Sequence, residues 1–148
     1  MNDKMYEALT SAVYLARLTL NGQSVDTDDK KIRASGLYEE WTPGAYSVGN
    51  IRTAPDQNGQ PQVWECFQAH DNGTYPDIRP GQTAWFTFWR PLHGKSRETA
   101  RPFVPVQGAH DMYHADEWMI WANGDYYRCK SDTNFSPVDY AAAWELMP

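Results

Sequence analysis

An aromatic residue, one spacer and a cysteine occur twice in the chain, as Trp64-Glu65-Cys66 in VWECFQAHD and as Tyr127-Arg128-Cys129 in YYRCKSD, and no other cysteine is present. Each follows an Asn-Gly pair, Asn58-Gly59 or Asn123-Gly124, the residue types that supply the positive φ angles of a tight hairpin. The likeness extends outward. The first half runs Trp41, Tyr46, Gly49, hairpin, Cys66, Pro76 and Trp85; the second runs Gly108 in the place of Trp41, then Tyr113, Asp116, hairpin, Cys129, Pro137 and Trp144. Sixty-seven residues separate Tyr46 from Tyr113, 63 the cysteines and 59 the tryptophans Trp85 and Trp144, a drift expected where loops lengthen. A pattern returning at this interval predicts two like units rather than one undivided core.

Within a unit, short aromatic and β-branched runs alternate with Gly, Pro, Asn and Asp clusters, which reads as short strands and turns. The aromatic residue and the Cys two positions on share one face of the return strand, and the closing Trp covers a sheet too small for a large core. Equivalent cysteines in separate units predict two buried free thiols rather than a disulfide. Ahead of the units, Met5, Leu9, Val13, Ala16 and Leu20 recur at spacings of four and three, predicting a helix over 2–20, capped by Asn2 or Asp3 and stopped at Gly22. Its stripe requires a partner, either its own domain or other copies of the chain. The expected fold is mainly β: an N-terminal α-helix followed by two small antiparallel β modules forming a tandem pseudo-repeat. The expected division is 1–36 helix and connector (with one helical turn at 28–33), 37–93 first module, 94–102 linker, and 103–148 second module.

Net charge is −6 and the pI near 5.1, with no block of Lys and Arg, which argues against a nucleic-acid partner. Nothing reads as a signal peptide or a membrane span, so synthesis in the cytoplasm is expected. Aromatic residues form 14% of the chain, including seven Trp, although mean hydropathy is −0.71. Rings in such excess in a polar chain point to small aromatic cores with some rings left at the surface.

The stretches LYEEWTPGAYSVGNI, WECFQAHDNGTYPDI and TAW resemble the small chitin- and cellulose-binding modules of carbohydrate-binding families 5 and 12. They are most similar to such modules in proteins from phages and prophages of Gram-positive bacteria. The likeness covers 37–85 well and 113–144 loosely. It implies a non-enzymatic carbohydrate-binding protein, a phage tail or virion component attaching to host cell-surface polysaccharide or oligosaccharide by aromatic stacking. The alternative is a structural virion or baseplate subunit whose rings contact other virion proteins. Adjacent exposed rings form the sugar platform in the plant-polysaccharide-binding relatives; here the corresponding residues are Gln68-Ala69 and Ser131-Asp132.

Tyr46, Trp64, Trp85, Tyr113, Tyr127 and Trp144 hold repeat positions and are expected in the core. Trp41, Tyr75, Trp89, Trp121 and Phe135, which lie in loops or off the pattern, are the candidate carbohydrate-binding residues, and Phe86 is also expected to be exposed. In TAWFTFWRP a strand would put rings on both faces. His110 and His114 are four apart beside Asp111 and Asp116, but a strand entry is expected there and no third His is near, so no metal site is assigned. His70 is expected to fix its loop by a hydrogen bond. Asp71, Asp77, Asp116 and Asp125 are available for glycoside hydrolysis, yet a unit this small encloses no cleft for two facing carboxylates. No nucleophile elbow, zinc-protease or phosphate-loop motif occurs. No catalytic residue and no cofactor are expected. Homo-oligomerisation through the N-terminal helix is.

Overall fold

The computed structural model describes residues 2–82 and 84–148. Helix α1, Asp3–Leu20, begins where the Asn2 side chain accepts from the Met5 N–H. It ends at Asn21, whose side chain bonds the Arg17 carbonyl, ahead of Gly22 at φ +67°. A single turn, α2 (Asp28–Arg33), is capped by the Thr27 hydroxyl and buries Ile32 against Val63 and Leu92.

The strands are β1 (Ala45–Tyr46), β2 (Ile51–Pro55), β3 (Pro61–Cys66), β4 (His70–Asp71), β5 (Trp89–Pro91), β6 (Arg101–Pro102), β7 (Trp118–Ile120), β8 (Tyr126–Cys129) and β9 (Trp144–Met147). They form a two-stranded sheet β1-β4, a three-stranded sheet β2-β3-β5 and a four-stranded sheet β6-β7-β8-β9. All pairings are antiparallel except β6 with β7. The mainly β character expected from the pattern is present, as one N-terminal helix and several small sheets.

Both hairpins turn at the anticipated glycines, Gly59 at φ +77° and Gly124 at φ +90°. The Asp56 carboxylate braces the first by accepting from the Asn58 and Gln60 N–H groups. Beyond each hairpin the same backbone bonds recur. Gly49 N–H reaches Cys66 O at 2.9 Å and Cys66 N–H reaches Asn50 O at 2.8 Å; Asp116 N–H reaches Cys129 O at 2.8 Å and Cys129 N–H reaches Glu117 O at 2.7 Å. Gly49 and Asp116 are both left-handed, at φ +93° and +75°. Cys66 faces Trp89 across its sheet and Cys129 faces Trp144 across the other. Each thiol is free and buried, donating to the carbonyl two residues on, Gln68 O at 3.1 Å or Ser131 O at 3.0 Å.

Three expectations need correction. The residue paired with Cys66 is Trp89, not Trp85. Trp85–Thr87 is a 3-10 turn, not a strand, and it precedes Trp89 as the turn Ala141–Ala143 precedes Trp144. By backbone bonding the counterpart of Trp41 is Phe103, not Gly108: Trp41 N–H reaches Thr53 O and Phe103 N–H reaches Ile120 O, both at 2.9 Å.

The segment 94–102 is not a free linker. Gly94 bridges Trp118, Thr99 and Ala100 are buried, and Arg101–Pro102 is β6 of the four-stranded sheet. The segment 23–36 is likewise seated, with Asp28 taking both guanidinium arms of Arg90 at 2.6 and 2.9 Å. Core aromatics fall into two clusters. One holds Trp41, Tyr46, Trp64, Trp85 and Trp89; the other holds Tyr113 and Trp144, with Phe103, Trp121 and Tyr127 packed against it.

Helix α1 docks by a face other than its apolar stripe. Ser11 and Leu18 are its buried residues. The Ser11 hydroxyl donates to Arg33 O and accepts from the Gly36 N–H, at 3.1 and 3.0 Å. Met5, Leu9, Val13 and Leu20 are exposed. No helix of the described residues is long and apolar enough to cross a membrane.

Candidate functional site

The candidate binding residues scatter. Tyr75 and Phe135 are exposed, at 65% and 57%, on the loops that precede each closing tryptophan. Trp121 is half-buried, its ring edge-on to Phe103 at 5.3 Å. Trp89 is fully buried, edge-on to Tyr46 at 4.9 Å. It cannot stack on a ligand, because the register that puts it opposite Cys66 turns it into the core. Trp41 is also buried, so its ring offers no open face, and the Arg79 guanidinium lies over that ring at 4.9 Å. Phe86 is exposed as expected.

Trp41 nonetheless lines a groove. This open cleft of about 730 Å³ is bounded by α1, the stretch 35–41, the β2-β3 hairpin and β6. Two polar atoms in its walls have no hydrogen-bond partner among the described residues: Trp41 Nε1, a donor, and Gln62 Oε1, an acceptor, both buried. Gln62 is otherwise anchored, its Nε2 donating to Pro102 O at 2.6 Å and to Asp56 Oδ2 at 3.2 Å. The amide is therefore held with its oxygen as the leftover atom. An unmet buried donor or acceptor costs about 1–3 kcal/mol, so native structures rarely retain one without a reason.

Two guanidiniums also line the cleft. Arg79 is held over the indole, and Arg101 donates to Ala100 O at 3.0 Å. Burial lowers the Arg101 pKa, and the charge of Glu7 partly offsets this. Tyr38, also in the wall, has its phenol raised by burial and by the nearby Glu65 charge. Opposite them, Lys4 and Glu40 pair at 2.7 Å with both side chains exposed, a contact worth little in water. The cleft thus has two guanidiniums in its walls, and two wall residues, Trp41 and Gln62, whose unpartnered N–H and carbonyl are buried. That set suits hydroxyl groups and includes no nucleophile–base pair.

No family model, curated protein or solved structure matches the chain.

The histidines take other roles. His70 Nδ1 lies 2.9 Å from Gln68 O and 3.7 Å from Cys66 Sγ, bracing the loop after β3. His110 lies in the middle of a 3-10 turn (Ala109–Asp111), and its ring packs on Phe67 at 4.3 Å. Among the described residues no group of three or more His, Cys, Asp or Glu is placed to hold a metal ion. Asp116 is occupied by Arg128 at 2.7 Å, and Asp71 caps the Gly73 N–H.

Sequence reasoning passed over His93 and Glu117. His93 is buried, stacked on Tyr113 at 3.8 Å and 7°, with Nδ1 3.0 Å from Glu117 Oε1. Gln62 was passed over as well. All three are single polar letters at positions the aromatic pattern leaves undescribed. The one signal for Gln62 is its place two residues before Trp64, on the core-facing side of β3.

Proposed function

We propose that the chain is a non-enzymatic carbohydrate-binding protein, a component of a phage tail or virion that attaches to cell-surface glycan, built from one β unit present twice. The reading of two copies rests on the matched backbone bonds around Cys66 and Cys129 and on the shared order hairpin, cysteine, 3-10 turn, tryptophan. The single observation that carries the binding function is that two residues of the groove wall, Trp41 and Gln62, each hold a buried polar atom, Nε1 and Oε1, without a partner among the described residues. A sugar supplies both complements, since each hydroxyl donates and accepts. The Arg79 side chain, half-buried over the indole, is the cover that moves aside to admit it. Stacking, where it contributes, falls to Tyr75 and Phe135 on the exposed loops rather than to Trp41 or Trp89.

The test is binding of the full chain to purified cell walls and to a glycan array, with Trp41→Phe and Gln62→Met alongside. Trp41→Phe keeps an aromatic ring and removes the N–H; Gln62→Met keeps length and removes the acceptor, together with the Nε2 bonds to Pro102 and Asp56. Each is expected to weaken binding about tenfold, the value of one buried polar contact, with an unchanged circular dichroism spectrum. Wild type that binds no glycan at high protein concentration would reject the reading.

A virion subunit that works through contacts alone is the second reading, and the exposed face of α1 favours it. That face has near two-fold character. An axis between Ala12 and Val13 sets Met5 opposite Leu20 and Leu9 opposite Ala16 of an antiparallel second copy. The two readings are compatible: a helix-paired dimer doubles the grooves, and effective concentration raises weak single-site affinity.

A further inference from the structure

A second, smaller pocket of about 450 Å³ lies where the two halves meet, between α2, the chain leaving β5 and the segment 110–117. Its acids are all engaged within the protein. Asp28 accepts from Arg90 and from the His93 N–H at 3.2 Å. Asp29 accepts from the Lys95 N–H at 2.7 Å, from Arg33 and from the Thr99 hydroxyl. Glu117 Oε1 takes the His114 N–H at 2.7 Å and His93 Nδ1 at 3.0 Å. What remains in the walls is of the other kind.

The Lys95 ammonium, on an exposed side chain, makes no ion pair among the described residues. The His114 imidazole is half exposed, its Nδ1 3.6 Å from Glu117 Oε1. His93 Nε2 and His110 Nε2 are buried without hydrogen-bond partners, although His110 Nε2 approaches Asp111 Oδ1 at 3.8 Å. His93 itself is 5% exposed. Against a carboxylate, Nδ1 of the neutral His93 ring carries the proton, and Nε2 is then the acceptor. Stacking on the fully buried Tyr113 ring fixes the imidazole plane. A rotamer locked on both sides, with one ring nitrogen left over, is a preorganised acceptor for a ligand hydroxyl.

We infer that this pocket is a second binding site, for a small hydroxylated anion: a hydroxyl of the ligand donates to His93 Nε2, while its carboxylate or phosphate meets the Lys95 ammonium and the His114 ring. The site is separate from the groove of Trp41 and Gln62 and does not rest on that groove binding glycan. The spent acids matter to the charge balance. Asp28 is paired by Arg90 and Asp29 by Arg33, which leaves Lys95 as a lining cation without a carboxylate partner among the described residues, and Glu117 as a carboxylate held by histidines and a backbone N–H.

The experiment titrates glucuronate, glucose 6-phosphate and glucose separately into the full chain, following the imidazole C–H signals by NMR and affinity by calorimetry. Saturable shifts of the His93 and His114 signals are expected with one or both anions, and at least about tenfold weaker binding with neutral glucose. The two anions distinguish a carboxylate ligand from a phosphate ligand. Lys95→Gln, at an exposed position that does not disturb folding, is expected to weaken the anion about tenfold. Trp41→Phe is expected to leave it unchanged. No shift with either anion, equal affinity for glucose, or an anion affinity indifferent to Lys95→Gln would each overturn the assignment. Loss of anion binding in Trp41→Phe would place the ligand in the larger groove instead.

Discussion

The two thiols are the residues on which chemistry and architecture meet most directly. Cys129 is fully buried, and burial, with the nearby Glu117 and Asp132 charges adding to it, pushes its pKa up to about 11. Burial likewise raises the pKa of Cys66. Only the thiolate reacts, so neither should be labelled by a disulfide reagent at pH 7.4 in the folded chain. Both should be labelled at once in denaturant, and a fast-reacting thiol in native buffer would contradict the burial of these plugs. That each cysteine ends a return strand two residues after an aromatic residue was legible in the sequence, because a strand fixes the aromatic-x-Cys spacing whatever the loops do. The choice between Trp85 and Trp89 was not, since TAWFTFW offers two tryptophans four residues apart. The local turn decides between them: a 3-10 segment at 85–87 delays the strand and hands the closing position to Trp89. Trp41 was misjudged for a related reason. A loop tryptophan in an entry segment reads as exposed until the parallel bridge of Glu40 to Thr53 draws it onto the sheet.

At the scale of elements, α1 shows how much a period alone leaves undecided. Its limits and its N-cap followed from the residues, but the face that docks did not. The protein side of the helix meets Gly36, where an added Cβ would lie 2.4 Å from the Glu7 carbonyl oxygen. Close backbone approach, with Ser11 bonding both Arg33 and Gly36, therefore selects the small-residue face, and the larger apolar side chains turn outward. Two outcomes follow. Gly36→Val should force α1 off its seat while sparing the sheets, read as loss of amide protection confined to residues 3–20 in hydrogen exchange. Leu9→Glu with Val13→Glu should leave the seat intact and abolish self-association, read by sedimentation velocity as conversion of dimer to monomer. A wild-type chain that sediments as a monomer at all concentrations would remove the helix as an oligomerisation element.

For the whole molecule the question is whether 38–148 behaves as two units or one. The pattern argues for two, and each half does have its own aromatic cluster. The junction argues for one. Gln62 of β3 donates to Pro102 O of β6, and His93 leaves the first half to stack on Tyr113 of the second. Gly94 pairs with Trp118 so closely to the next turn that an added Cβ would lie 2.4 Å from the Thr99 carbonyl oxygen. Units this small bury too little to be stable alone. The chain should therefore unfold in one cooperative transition, with fluorescence and circular dichroism coincident, and Gly94→Ala should lower stability by about 2 kcal/mol through the forced displacement. The Arg90 hub adds a pH signature. Burial works to raise the Asp28 carboxyl, but hydrogen bonds and charge from Arg90 outweigh it, and the folded pKa is lowered. A lowered carboxylate contributes stability that is fully present above the unfolded value, about 3.9, and is lost as pH falls through the folded one. Asp28→Asn should thus cost about 2 kcal/mol at neutral pH, by leaving Arg90 with Glu65 alone, and its deficit relative to wild type should shrink in acid below about pH 4. Denaturant melts of both proteins at pH 7 and pH 3 decide the matter: a deficit of equal size at both would mean that the Asp28–Arg90 pair does not hold α2 to the first sheet.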